Sequence, residues 1–151
     1  MFSTPEGQSE FPSEFDHFLA AQHAIYDQVF AELAQGRKQS HWMWFIFPQL
    51  RGLGSSQTAQ RYALDSPAQA RRYLSHPVLS QRLRQCTLLM LQWAGLSLRD
   101  ILGPPDDLKL RSSMTLFNLA APDEPLFQDI MRQFFQGEPD PRTLTLLNDS
   151  D

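Results

Sequence analysis

The sequence predicts an all-α fold, a compact single-domain bundle of about six to eight short and medium helices. Apolar side chains recur at helical spacing over most of the chain. Ser-Pro, His-Pro and Asp-Pro pairs stand where helices would begin, and glycines stand where they would end. Almost no segment alternates polar and apolar residues as a strand would. A chain of 151 residues is long enough to bury about two-thirds of its unfolded surface in one domain.

The first helix is expected over residues 14–35. Ser13 can cap it, and Asp16 stands three residues later, as in a capping box. Gly36 is a natural terminator because glycine accepts a left-handed backbone. Residues 1–12 are rich in Ser, Pro, Glu and Gly without an apolar period, so we expect a flexible tail and one helical domain over residues 13–148.

Caps and prolines start the helices of the middle of the chain. Ser55 or Ser56 can cap a helix that extends to about residue 63. A Ser-Pro pair supplies the cap and the first helical position of a helix over residues 66–75. A His-Pro pair starts the next helix at residues 76–77, and Gly95 is expected to end it.

The C-terminal third continues in the same way. A short helical turn is expected over residues 97–102, capped by serine and closed by glycine. The Pro-Pro-Asp-Asp run begins a helix over residues 104–121, because carboxylates suit the positive end of a helix dipole. The last two helices are expected over residues 124–136 and 140–147, with an Asp-Pro pair starting the second.

The run WMWFIF, residues 42–47, is the exception to this helical pattern. Its length and aromatic content would suit a buried strand. A lone strand would lack a partner, because the chain has no second run of that kind. We therefore prefer a short buried helix over a strand.

Composition narrows the function classes. The formal net charge is −4, which argues against general nucleic-acid binding but allows a local basic pocket. Cys86 is the single cysteine, so no intramolecular disulfide forms. The N-terminal residues lack the features of a signal peptide, and no apolar run approaches the ~20 residues that span a bilayer. These features indicate a cytoplasmic protein that does not enter membranes.

Three blocks of the sequence resemble a known family. They are SHWMWFIFPQLRGLGSS, PDDLKLRSSMTLF and GEPDPRTLTLL. They are similar to the domain of unknown function 1810 family, small proteins of bacteria and fungi, and the resemblance covers the chain from about Phe15 to Leu147. It implies a compact all-helical fold and no agreed activity. Some members carry the label "calpastatin", a disordered calpain inhibitor, but the dense aromatic content argues against that interpretation here.

The first candidate site is the turn that contains Arg51, Gly52, Gly54, Ser55 and Ser56. Glycines allow a backbone to approach a ligand closely. A helix N-terminus then offers free N–H groups to phosphate or carboxylate, and an arginine adds a bidentate cation. The alternative is a glycine-rich turn with a serine cap, since neither nucleotide-binding fingerprint is complete.

The second candidate combines Lys109, Arg111 and Ser112. A cation within an otherwise apolar helix can point into a pocket. The more common outcome is a solvated face on which Asp107 pairs with Arg111 at i,i+4.

The third candidate lies in the aromatic run. His41 is the candidate acid or base near neutral pH, and Trp42 can stack on a planar ring. Gln49 can hydrogen-bond an amide or a sugar hydroxyl. Trp44 and the phenylalanines after it are better explained as core.

Metal, cofactor and nucleophile chemistry have little support. The histidines lack the three- or four-residue spacing that places two ligands on one helical face, so we expect no metal. No cofactor fingerprint is complete. Cys86 lies in an apolar helical pattern and is better explained as a small core residue.

We therefore predict a pocket for a small anionic ligand, such as a phosphate or a nucleotide derivative. Binding and catalysis are both left open by the sequence. The alternative is a protein-interaction module without an active site, in which the WMWFIF run docks a partner.

Overall fold

Helices make up the fold of the described chain. The structure is a computed structural model that describes residues 13–149, so the tail predicted over residues 1–12 lies outside the described residues. Within residues 13–149 there are ten helices and no strand. The all-α class is confirmed, but the predicted count of six to eight helices is too low. The helices are α1 Asp16–His23, α2 Tyr26–Ala34, α3 Met43–Ile46, α4 Gln57–Arg61, α5 Pro67–Ser75, α6 Pro77–Leu91, α7 Leu98–Ile101, α8 Asp106–Ala120, α9 Pro125–Phe135 and α10 Pro141–Asp149.

The prediction of one helix over residues 14–35 is wrong, because α1 and α2 share that segment. Ile25 lies between them with a non-helical φ of −131°. A straight helix of that length would extend for about 33 Å. The interruption instead lets α1 pack against α3 while α2 packs against α6. The predicted capping pair forms in part, since the Ser13 N–H donates to Asp16 Oδ2 over 3.1 Å.

The predicted starts of the middle helices are correct. The hydroxyls of Ser56, Ser66 and Ser97 each accept a hydrogen bond from the backbone N–H three residues later. His76 caps α6 in the same manner, because its Nδ1 accepts from two backbone N–H groups of the first turn. Each cap satisfies donors that have no partner inside the helix.

Gly36 ends α2 as predicted, for a conformational and a steric reason. Its φ is +73°, and a Cβ there would lie 3.0 Å from the ring of Trp93. The Trp93 indole donates to the Leu33 carbonyl over 2.8 Å. Trp93 itself lies just after α6. That helix ends at Leu91 and not near Gly95, where the sequence predicted its end.

The aromatic run forms the short helix α3, as preferred over a strand. Trp42, Met43, Ile46 and Phe47 are at most 2 % exposed. They join a hydrophobic cluster that draws on α1 to α3 and on α5 to α9. The interaction-module alternative relied on this run being available to a partner, and the burial of four of its six residues weakens that support.

Two helices organise the packing. α8 packs against α5, α7, α9 and α10, and α6 packs against α2, α3, α5 and α9. Leu110, Met114 and Phe117 on α8 are fully buried. The opposite side of α8 is therefore the one left to face solvent or a cavity. None of the helices within residues 13–149 is both long and apolar enough to cross a lipid bilayer.

Candidate functional site

A cavity of about 650 Å³ lies where three parts of the chain meet. Its walls come from α8 with the residue before it, from the segment between α3 and α4, and from the start of α10. Trp44 of α3 and Ala59 of α4 complete the lining. This volume is within the range of small-molecule sites.

The α8 wall presents one helical face. Pro105, Leu108, Lys109 and Ser112 all line the cavity, and their spacing of three and four residues places them on the same side of the helix. Lys109 Nζ lies 4.8 Å from the centre of the Trp44 ring and 3.5 Å from Asp106 Oδ1. The lysine is therefore held beside an aromatic wall, with its side chain 25 % exposed.

Arg111 also lines the cavity, but its guanidinium already has partners. Nε donates to the Glu138 carbonyl over 3.0 Å, and Nη2 donates to the Pro139 carbonyl over 3.1 Å. The expected pairing with Asp107 does not form. Arg111 thus joins α8 to the segment before α10 and contributes its charge to the cavity from a fixed position.

The loop wall contains Gln49, Gly54, Ser55 and Ser56. A pair of backbone hydrogen bonds closes the base of this loop, from Arg51 N to Leu64 O and from Leu64 N to Gln49 O. Gly54 is required by space, because a Cβ there would lie 2.6 Å from the Ala59 Cβ. Four of the residues predicted from the glycine-serine turn and its surroundings therefore share one wall.

The third wall was not predicted from sequence. Asp140 and Arg142 both line the cavity. Asp140 Oδ2 accepts the Thr143 N–H over 3.0 Å, which caps α10. Arg142 Nη2 donates to the Leu53 carbonyl over 3.4 Å. The Asp-Pro pair signalled the helix start, but no local pattern indicated that α10 returns to the loop.

The two tryptophans occupy the reverse of their predicted positions. Trp42, predicted as a ligand contact, is fully buried, and its indole donates to Glu32 Oε1 over 2.9 Å. Trp44, predicted as core, is half-buried and lines the cavity. The Glu32 carboxylate accepts the indole N–H and so holds the Trp42 ring inward, just before α3 begins.

Glu32 anchors the segment that leads into α3. Besides the indole, its oxygens accept the backbone N–H groups of Gln39 and Ser40, the Ser40 hydroxyl over 2.6 Å and the Gln28 amide. Desolvation raises the pKa of Glu32, but the hydrogen bonds from Ser40, Gln39 and Trp42 outweigh it and lower the pKa to about 2.

Besides Trp42, three predicted site residues lie outside the cavity. His41 is exposed and is not among the lining residues, so its predicted acid-base role has no geometric support. Arg51 is exposed and donates to Asp65 Oδ1 over 2.5 Å and to the Gln60 carbonyl over 2.9 Å. Gly52 lines a second cavity of about 250 Å³. The two cavities share Pro141 and Arg142.

Cations outnumber carboxylates among the residues that line the main cavity, and two carboxylates outside the lining, Asp106 and Glu138, lie 3.5 Å from Lys109 and 3.7 Å from Arg111. Lys109, Arg111 and Arg142 stand against one lining carboxylate, Asp140. Within residues 13–149, no three His, Cys, Asp or Glu side chains lie together in a way that could hold a metal ion. The lining of the cavity offers cationic, aromatic, hydroxyl and carboxylate groups.

The fold and the site define an all-helical protein with a cation-lined cavity. The family model described as "Protein of unknown function (DUF1810)" matches residues 12–147. The chain belongs to this family, and the resemblance inferred from the three sequence blocks is confirmed.

A solved structure shows the same fold. The chain is similar to the conserved hypothetical protein Rv1873 from Mycobacterium tuberculosis, with 48 % sequence identity and a TM-score of 0.88. The similarity covers 91 % of this chain and 99 % of that chain. No curated protein matches the chain at a significant level.

Proposed function

We propose that the cavity binds a small anionic ligand, such as a phosphate or a nucleotide derivative, in the cytoplasm. The observation that carries this proposal is the convergence of Lys109, Arg111 and Arg142 on one cavity of about 650 Å³. Cationic side chains form strong charge-assisted hydrogen bonds to phosphate and carboxylate, so a wall of this kind suits an anion. The function proposed is binding, and no catalytic step is assigned.

The three cations have different parts in this proposal. Arg111 is already bonded to two carbonyls and supplies a fixed positive charge. Lys109 and Arg142 are the groups proposed to contact the anion directly. The Trp44 ring, beside Lys109, offers a flat surface on which a base or sugar ring can stack.

Thermal shift and calorimetry against nucleotides, ADP-ribose derivatives and sugar phosphates test the proposal. We expect at least one compound to raise the melting temperature of the wild-type protein. The double variant Lys109→Gln with Arg142→Gln should bind that compound at least about tenfold more weakly, since a charge-assisted hydrogen bond is roughly twice as strong as a neutral one.

A matched control removes two cations elsewhere. Arg71 and Arg99 are exposed on α5 and α7, and neither lines the cavity. The double variant Arg71→Gln with Arg99→Gln should keep wild-type affinity within about twofold, because screened surface charges act weakly over distance. Equal losses in both double variants, or no stabilisation by any compound of the panel, would contradict the proposal.

A further inference from the structure

Asp140 is the carboxylate among the residues that line the cavity, and its side chain is held in place. Its Oδ2 accepts the Ser112 hydroxyl over 3.1 Å, together with the Thr143 N–H over 3.0 Å and the Thr143 hydroxyl over 2.6 Å. Its backbone N–H donates to Thr115 Oγ1 over 2.9 Å. The carboxylate is therefore fixed on both the side-chain and the backbone side.

Capping α10 accounts for only one of the two oxygens. All three donors go to Oδ2, and Oδ1 accepts no hydrogen bond from any residue within 13–149. Asparagine or serine would cap a helix as well as aspartate does. The negative charge is thus not needed for the cap, and in a cavity for anions it works against the ligand.

We propose that the ligand carries hydroxyl groups close to its anionic group, so that it is a phosphorylated polyhydroxy compound such as a sugar phosphate or the ribose phosphate of a nucleotide. Asp140 Oδ1 accepts a ligand hydroxyl, while Lys109 and Arg142 hold the phosphate. Carboxylates that bind ribose hydroxyls in this way are a general solution in nucleotide sites. This inference rests on the proposed function of the cavity.

Selectivity follows from the charges. Inorganic phosphate meets the repulsion of Asp140 and offers few donors to offset it. A phosphorylated sugar meets the same repulsion, but its hydroxyl donates to Oδ1 in a charge-assisted hydrogen bond. Asp140 therefore lowers the affinity for bare anions and raises the relative affinity for hydroxylated ones.

The test uses two matched pairs of probes on the full-length protein. The first pair is AMP and 2′,3′-dideoxy-AMP, and the second is glycerol 3-phosphate and n-propyl phosphate. Calorimetry on wild type should show the hydroxylated member of at least one pair binding roughly tenfold more tightly than its partner. This comparison needs no variant, so it does not depend on the folding of a mutant.

The variant Asp140→Asn separates the role of Asp140 in recognition from its role in capping. Asparagine keeps an acceptor for Thr143 but replaces the free oxygen by an amide donor. We expect the preference for the hydroxylated member to fall to about twofold or less, while the affinity for inorganic phosphate stays equal or rises. The control Asp129→Asn removes the same charge from an exposed position on α9 and should leave the preference unchanged.

Failure of the inference is distinguishable from failure of the proposed function. If both members of each pair bind wild type equally, the cavity binds anions, but Asp140 does not recognise the hydroxyl groups of the ligand. If Asp140→Asn keeps the full preference for the hydroxylated probe, another group recognises the hydroxyls and the assignment to Asp140 is wrong. If none of the four probes binds, the inference fails, and the proposed function fails with it only when the wider panel of nucleotides, ADP-ribose derivatives and sugar phosphates also gives no stabilisation.

Discussion

Replacing Glu32 by glutamine tests how the cavity wall is held. Glu32 is 6 % exposed, and its carboxylate accepts hydrogen bonds from the backbone of Gln39, from Ser40 and from the Trp42 indole. A carboxylate offers only acceptors, whereas an amide turns one oxygen into a donor. In Glu32→Gln at least one of these donors would face another donor.

The magnitude follows from the pKa of Glu32. Hydrogen bonding overcomes desolvation and lowers the pKa from its ordinary value of 4.5 to about 2. A tenfold change in proton binding corresponds to about 1.4 kcal/mol, which gives an upper bound of roughly 3 kcal/mol for the stabilisation by the ionised form. Nearby solvent screens part of this, so we expect about 2 kcal/mol.

The sign fixes the pH window. Because the folded-state pKa is depressed, the contribution is present above about pH 4.5 and is lost as the pH falls towards 2. Urea denaturation of wild type, followed by tryptophan fluorescence and circular dichroism, should show that loss between pH 5 and 2. Glu32→Gln should be less stable by about 2 kcal/mol at pH 7, and its stability should fall less steeply over the same acid range.

A glutamate on the surface provides the control. The Glu138 side chain is 71 % exposed, and Glu138→Gln removes the same charge. Its unfolding free energy should change by about 0.5 kcal/mol or less. If Glu32→Gln at neutral pH changes as little as the control, or keeps the full acid dependence of wild type, the argument that this carboxylate anchors α3 is wrong.

Three further predictions address packing, capping and the thiol. Gly54→Ala places a Cβ 2.6 Å from that of Ala59 and should lower the free energy of unfolding, measured in urea, by about 1–3 kcal/mol. The control Gly95→Ala has nothing within 4 Å of its new Cβ and should change the free energy of unfolding by about 0.5 kcal/mol or less. Equal effects of the two substitutions would refute the steric argument. Desolvation lowers the pKa of His76 below its ordinary 6.5, so the neutral imidazole cap stabilises the fold above that pH and stabilises it less as the pH falls. His76→Asn keeps a cap. Its melting temperature should therefore fall less than that of wild type between about pH 7 and 5. Burial raises the pKa of the Cys86 thiol to about 12. A thiol reagent should therefore label the native protein at least about 100-fold more slowly than the unfolded protein. Equally rapid labelling of the two would show that the thiol is accessible.

Helix starts were predictable because their determinants are local. Ser66 caps α5 through the N–H of Gln69, and Ser97 caps α7 through that of Asp100. Each contact spans three residues, so residue types and spacing contain the whole signal. The same holds for the α8 face, where Lys109 and Ser112 follow helical spacing.

The orientation of α3 was not predictable from such patterns. A four-residue helix has no hydrophobic face long enough to indicate which tryptophan turns inward. The Glu32 carboxylate settles this from another helix, by accepting the Trp42 indole and leaving Trp44 to the cavity. Predicting the third wall would have required knowledge of a contact still more distant in sequence, because Arg142 donates to the Leu53 carbonyl across 89 residues of chain.

The positive cavity contrasts with the acidity of the whole chain. The formal net charge is −4, yet three lining cations stand against one lining carboxylate. Charges beyond about 8–10 Å are largely screened at physiological salt, so an anion approaching from solution meets little attraction from this wall. Once it is within about 4 Å, each cation contributes about 4 kcal/mol at an effective dielectric of 20, before desolvation is subtracted. Binding of the anion therefore requires direct contact inside the cavity, and a polyanion too large to enter would obtain little binding energy from Lys109.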